Sequence, residues 1–206
     1  LQKDVPGIKV CNDNLQAAQA DIVLIAVKPW LVDLVLKEIA HCLNEKKMLI
    51  VVAAGVSFEQ IYKSLPEDLA GMPCYRLIPN TAITEKESMN LFAAINTSKE
   101  QNEFIFNVFG ELGTCMLLNE DKMAAATSLT SCGIAYALRY VRASVQAAVE
   151  MGFRPAEAQA MVAQTMKGAA ELLLNNDTSA ENEIDKVTTP GGITIKGLNE
   201  LEANGF

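Results

Sequence analysis

The run from Val187 to Leu198, V-T-T-P-G-G-I-T-I-K-G-L, concentrates hydroxyls, a fixed turn and a helix start in one short stretch. Pro190 sets one backbone angle, Gly191 and Gly192 permit φ > 0 or close approach of a ligand, and the apolar rhythm resuming at Ile193 predicts a helix from there. A helix start of this kind points free N–H groups outward. With the hydroxyls of Thr188, Thr189 and Thr194 beside them, those amides and the helix dipole suit a small carboxylate or phosphate. The same residues also describe a plain capped helix after a Gly-rich turn, since no Lys or Arg fork accompanies them. Both readings stand at this level.

Three further short motifs each follow an apolar run: Val27-Lys28-Pro29-Trp30, Ala53-Ala54-Gly55-Val56 and Pro79-Asn80-Thr81. If the runs are parallel strands, these motifs lie at their carboxyl ends, where open α/β sheets bind ligands. Pro29 stops a strand and exposes backbone groups, Ala53, Ala54 and Gly55 leave room for a flat ring or sugar, and Pro79 holds an amide and a hydroxyl in place. Each is also an ordinary tight strand exit. Taken together on consecutive strands they favour a dinucleotide cleft, although no G-x-G-x-x-G turn occurs in the chain.

The elements required to position these motifs are legible. From Ile8 to about Leu118, short β-branched runs alternate with helical patterns, predicting βα units in one doubly wound, largely parallel sheet. The expected strands are Ile8–Val10, Ile22–Ala26, Leu49–Val52, Tyr75–Ile78, Ser88–Ala94 and Thr114–Leu118, with a helix near 99–112 between the last two. After Glu120 the sequence becomes alanine-rich and helical, so a domain boundary is expected near Asn119: residues 1–119 as a partial dinucleotide-binding domain, residues 120–206 as a helical one. Ile134, Leu138, Val141, Val145 and Val149 form one apolar stripe on a helix of about five turns. Alanines at 135, 137, 143, 147 and 148 make the other faces nearly apolar, so the helix needs several neighbours, from a compact bundle or from a second copy of the chain. Pro155 opens the next helix, and Asn175-Asn176-Asp177-Thr178 ends it.

Composition removes other classes. The 206 residues are half hydrophobic and carry a net charge of −8 without a basic cluster, which argues against a nucleic-acid surface. The apolar runs 22–27 and 48–56 fall far short of the roughly 20 residues that span a bilayer, and Leu1-Gln2-Lys3-Asp4 shows no basic n-region followed by an apolar core, so no secretory signal is expected and the cytoplasm is the expected compartment. Five scattered cysteines without a C-x-x-C pair read as reduced thiols, and the single histidine, His41, excludes a multi-histidine metal site and disfavours a Ser-His-Asp triad.

V-T-T-P-G-G-I-T-I-K-G-L closely resembles the C-terminal signature of pyrroline-5-carboxylate reductases, and A-V-K-P (26–29), A-A-G-V (53–56) and I-P-N-T-A (78–82) resemble the same family in the right order. Family members usually begin one strand, Gly-rich turn and helix earlier and carry a further helix beyond the position of Phe206, so the sequence resembles a form clipped at both ends. The resemblance implies a Rossmann-like domain lacking its first βα unit, an intertwined homodimer through the helical domain, and NADPH- or NADH-dependent reduction of 1-pyrroline-5-carboxylate to L-proline in proline biosynthesis. It places Ala26, Val27, Lys28, Pro29, Ala53, Ala54, Gly55, Asn80 and Thr81 near the cofactor, with Asn14 at its adenosine part and Lys186 where an asparagine is common. It places Thr189, Gly191, Gly192 and Ile193 at the substrate carboxylate, and Thr194 at the ring nitrogen as the catalytic hydroxyl. Glu120 falls near the bound ring, a position equally suited to a charge at a helix start. Departures are Thr130-Ser131-Cys132-Gly133-Ile134 where the family reads S-G-S-G-P, Ala82-Ile83 in place of Pro-Ala, and Ile193 in place of a small or hydroxylated residue. Loss of the proline suggests a helix that starts earlier and reshapes the pocket floor. These departures keep two alternatives open: reduction of another cyclic imine or keto acid, and a non-catalytic dimeric relative.

Overall fold

A computed structural model describes Val5 and residues 7–206 of the chain. Five strands form one sheet in the order β1-β2-β3-β4-β5: β1 (Ile22–Ile25), β2 (Met48–Val51), β3 (Cys74–Ile78), β4 (Ser88–Ile95) and β5 (Gly113–Leu117). All neighbours are parallel except β3 and β4. The predicted strand at Ile8–Val10 does not form; Ile8 is 36% and Val10 52% exposed, and no described strand pairs with them. Extended backbone without a ladder partner has nothing to hold it as a strand.

Both faces of the sheet are covered, which explains the uninterrupted apolar strands. Successive side chains alternate across the sheet: Leu49 and Val51 join the core under α2 (Val32–Ile39), α3 (Phe58–Lys63) and α5 (Met123–Thr127), while Ile50 joins the core under α4 (Lys99–Gly110). On the α4 side Phe92 meets Tyr75, Phe106 and Phe109 at centroid distances of 6.3, 5.2 and 5.4 Å. Helices α3 and α4 begin with reciprocal capping boxes, Ser57 with Gln60 and Ser98 with Gln101, and the short α1 (Asn14–Ala17) is capped by Asp13. Gly113 at φ +134° opens β5 where a Cβ would lie 2.1 Å from the Ser88 carbonyl oxygen, so only glycine fits.

Two compact units emerge, meeting in sequence between Tyr136 and Ala137. The first includes Met123, which is 2% exposed and packs into the sheet's core. The helical path that follows is continuous: α5 passes through a π-turn at Ser128–Cys132 into α6 (Gly133–Glu150). The helix thus starts ahead of Ile134, as the missing proline suggests. Beyond α6 lie α7 (Pro155–Asn175), α8 (Ala180–Val187) and α9 (Ile193–Ala203). Pro155 occupies the first turn of α7, whose leading amide on Arg154 donates to the Glu157 carboxylate at 3.3 Å. From Ala137 onward only Ala148 and Ala158 are buried among the described residues, whereas Leu138 (60%), Met151 (72%) and Leu174 (78%) are largely exposed. No described helix is long and apolar enough to cross a membrane.

Candidate active site

The carboxyl ends of β1, β2 and β3 converge on two adjoining hollows in the first unit. The larger, about 610 Å³, is bordered by Ala54, Gly55, Ser57, Arg76, Glu120 and Asp121. The smaller, about 210 Å³, is bordered by Pro29, Trp30, Val56 and again Gly55. Gly55 stands at φ +79° with open space around its Cβ position, so its conformation rather than crowding calls for glycine. Ala26, Val27 and Lys28 lead out of β1, and the Leu31 amide donates to the Lys28 carbonyl at 2.9 Å, turning the chain at Pro29. Ala53 is buried beneath the β2 exit while Ala54 is exposed.

Asn80 is committed to the scaffold. Its Oδ1 accepts from the Ala82 amide at 3.0 Å, its Nδ2 donates to the Thr130 carbonyl at 3.0 Å, and its own amide donates to Ser88 Oγ at 3.0 Å. The amide thus fastens the β3–β4 connection to the π-turn, and Thr81 next to it is exposed. Asn14 is likewise engaged, donating from Nδ2 to Glu38 Oε2 at 2.9 Å.

The charged centre of the larger hollow is a pair that sequence reasoning half missed. Arg76, 7% exposed in the middle of β3, donates from Nη1 to Glu120 Oε1 at 2.7 Å. The Phe58 amide donates to the same oxygen at 2.7 Å, and the guanidinium carbon lies 6.0 Å from the Phe58 ring centre. Because Glu120 and Asp121 face a single Arg76, the lining is net negative and suits a cationic ligand. An Arg within the apolar run Cys-Tyr-Arg-Leu-Ile was the available signal, since a charged residue in a fully buried strand requires a partner. Burial pushes the neighbouring Cys74 thiol up to about 12, which removes it as a nucleophile. Among the described residues no three His, Cys, Asp or Glu side chains converge as metal ligands.

The Thr-Pro-Gly-Gly segment lies in the second unit. The Gly192 amide donates to the Thr189 carbonyl at 3.0 Å and Gly191 has φ +73°, a type II turn with Pro190 in the position that favours proline. A Cβ on Gly192 would lie 2.6 Å from Thr189 Oγ1, so this glycine lets the hydroxyl pack against the turn. Thr188 closes α8 by donating from Oγ1 to the Ile184 carbonyl at 2.7 Å. Helix α9 begins at Ile193 without a side-chain cap, leaving its first amides to another acceptor, with Thr194 half-buried in the first turn and Ile193 87% exposed. Lys186 donates to Glu183 Oε1 at 2.5 Å, within α8.

Residues 120–206 match the family described as pyrroline-5-carboxylate reductase dimerisation. Over 99% of its length the chain is 39% identical to pyrroline-5-carboxylate reductase 2 of Dictyostelium discoideum, spanning 73% of that protein. The chain belongs to the pyrroline-5-carboxylate reductase family. It is also 38% identical to pyrroline-5-carboxylate reductase 1 of the same organism, of which it spans only 38%. Among solved structures it superposes on the Coxiella burnetii pyrroline-5-carboxylate reductase with a TM-score of 0.87 at 29% identity, covering 96% of this chain and 74% of that one. The Plasmodium falciparum pyrroline carboxylate reductase, solved with NADP bound, gives 0.86 at 26% identity, covering 98% and 78%. The match to a dimerisation family makes a homo-oligomer the state of the assembled protein. The strand exits of this chain fit the family's dinucleotide: small residues at Ala53, Ala54 and Gly55 leave a flat ring room to approach, and the hollows run from the β1 exit to the β2 exit through Gly55.

Proposed function

We propose that this protein reduces 1-pyrroline-5-carboxylate to L-proline with NADPH or NADH, as a cytoplasmic homodimer joined through its helical segment. The observation that carries the reading is the larger hollow, where Ala54 and Gly55 open a flat approach beside a net negative pair of carboxylates. The dinucleotide supplies a hydride for the imine carbon. The residues of this chain supply position. The β1 exit at Ala26, Val27, Lys28 and Pro29 and the β2 exit at Ala53, Ala54 and Gly55 hold the cofactor, with Asn80 and Thr81 fixing the third exit and Asn14 and Lys186 serving its outer parts.

The uncapped amides of α9 and the Thr189 hydroxyl take the substrate carboxylate, set by the Pro190–Gly191–Gly192 turn. Thr194 orients the ring nitrogen. Glu120 adds negative charge beside the ring, favouring the protonated imine that accepts hydride most readily. Positioning of an already activated iminium supplies most of the rate, so the shortage of histidine is no obstacle. The helix running unbroken through Ile134 favours a second reading, a related cyclic imine as substrate. NADPH oxidation by the full-length gene product, assayed across a panel of cyclic imines, separates the two. Fastest turnover on pyrroline-5-carboxylate, with proline as product, supports the first; faster turnover on another ring overturns it.

A further inference from the structure

We propose that Arg76 is a positioning residue for imine reduction, acting through Glu120; the inference rests on the reading that Glu120 meets the substrate ring. Arg76 sits in β3 between Val51 of β2 and Ala93 of β4, with its side chain against the Phe58 ring. Well-packed apolar residues in place of both Arg76 and Glu120 would commonly be about as stable, because desolvating a guanidinium offsets much of what its ion pair returns. The site also leaves Arg76 Nε buried without a hydrogen-bond partner. Stability is therefore a weak reason for the pair.

Its geometry is a stronger one. Arg76 reaches from the sheet's interior to a carboxylate whose side chain is 36% exposed at the rim of the hollow. Two donors, Arg76 Nη1 and the Phe58 amide, fall on Oε1, and among the described residues Oε2 accepts no hydrogen bond. The Phe58 amide is itself held by the Ser57–Gln60 capping box, with the Gln60 amide donating to Ser57 Oγ at 3.2 Å. Glu120 is therefore pinned by one oxygen from two rigid elements, β3 and the start of α3, and its other oxygen is left for a cationic ring nitrogen.

The test is a double-mutant cycle in the full-length protein with Arg76→Met, Glu120→Gln and both together, plus Arg76→Lys, read as kinetics against pyrroline-5-carboxylate and NADPH. Glu120→Gln is expected to lower kcat/KM for the imine about tenfold, mainly through KM, with KM for NADPH unchanged. Arg76→Met should reproduce that pattern, the double variant should be no worse than Glu120→Gln, and Arg76→Lys should recover part of the loss. A structural role for Arg76 would instead lower the active fraction, seen as kcat falling at constant KM, and would overturn the proposal. So would losses that multiply in the double variant; where Arg76→Met alone does not fold, Arg76→Lys with and without Glu120→Gln closes the cycle instead. Unchanged kinetics in Glu120→Gln would remove the Glu120 reading itself, an outcome distinct from failure at Arg76.

Discussion

Asn80 and Thr130, 50 residues apart in sequence, are joined by a 3.0 Å hydrogen bond from the Asn80 side-chain amide to the Thr130 carbonyl. That carbonyl belongs to the π-turn Ser128–Cys132, where the widened helical spacing frees backbone groups that need outside partners. Asn80→Ala removes this bond and the cap on the Ala82 amide together. A loss of about 1–2 kcal/mol is expected in denaturant unfolding, and a midpoint equal to that of the parent protein would show that the π-turn needs no anchor.

Gly192 is the glycine whose replacement should be read in catalysis as well as in stability. A methyl group there must displace Thr189 Oγ1, 2.6 Å from the Cβ position. Gly192→Ala is expected to raise KM for the imine with KM for NADPH unchanged. Gly191→Ala, at φ +73°, should act mainly on stability, by about 1 kcal/mol.

Thr194→Val keeps the shape of the first turn of α9 and removes its hydroxyl. A fall in kcat/KM of about tenfold to a hundredfold is expected, the value of a hydrogen bond to a charged group, with Thr194→Ser close to the parent. Kinetics equal to the parent in Thr194→Val would exclude the hydroxyl from the reaction.

Alkaline stability should depend on Cys74 and Tyr62. Burial raises both groups to about 12 in the folded chain, from 9.0 and 10.0 respectively. A raised pKa means that the folded state holds the proton more tightly than the unfolded state does. The corresponding stability is fully present below about pH 9 and is lost as pH rises toward 12. Unfolding free energy measured from pH 8 to 11 should fall less steeply in Cys74→Ala than in the parent; parallel curves would show that the thiol does not contribute.

The strands from 22 to 117 were readable because continuous β-branched runs between turn residues signal a sheet covered on both faces. Ile8–Val10 carries the same local pattern, but strand formation depends on a partner, which a local pattern does not contain. Pro190-Gly191-Gly192 was readable for the opposite reason, since a proline followed by a residue free to take φ > 0 specifies a type II turn by itself. The Arg76–Glu120 pair spans 44 residues. Nothing near Arg76 in sequence names its partner, so an arginine inside an apolar run shows that a partner exists without showing where. The place of Met123 was hidden for a related reason: it looks like any apolar residue of a helix until the sheet it plugs is in place.

The helical segment after Ala137 buries only Ala148 and Ala158 among its described residues, so little apolar surface within one copy opposes the conformational freedom it gives up on ordering. Its integrity is then governed by mass action. Each tenfold dilution should weaken this helical segment while the sheet, with its own two cores, holds, so the melting profile of the α-helical signal should move with protein concentration.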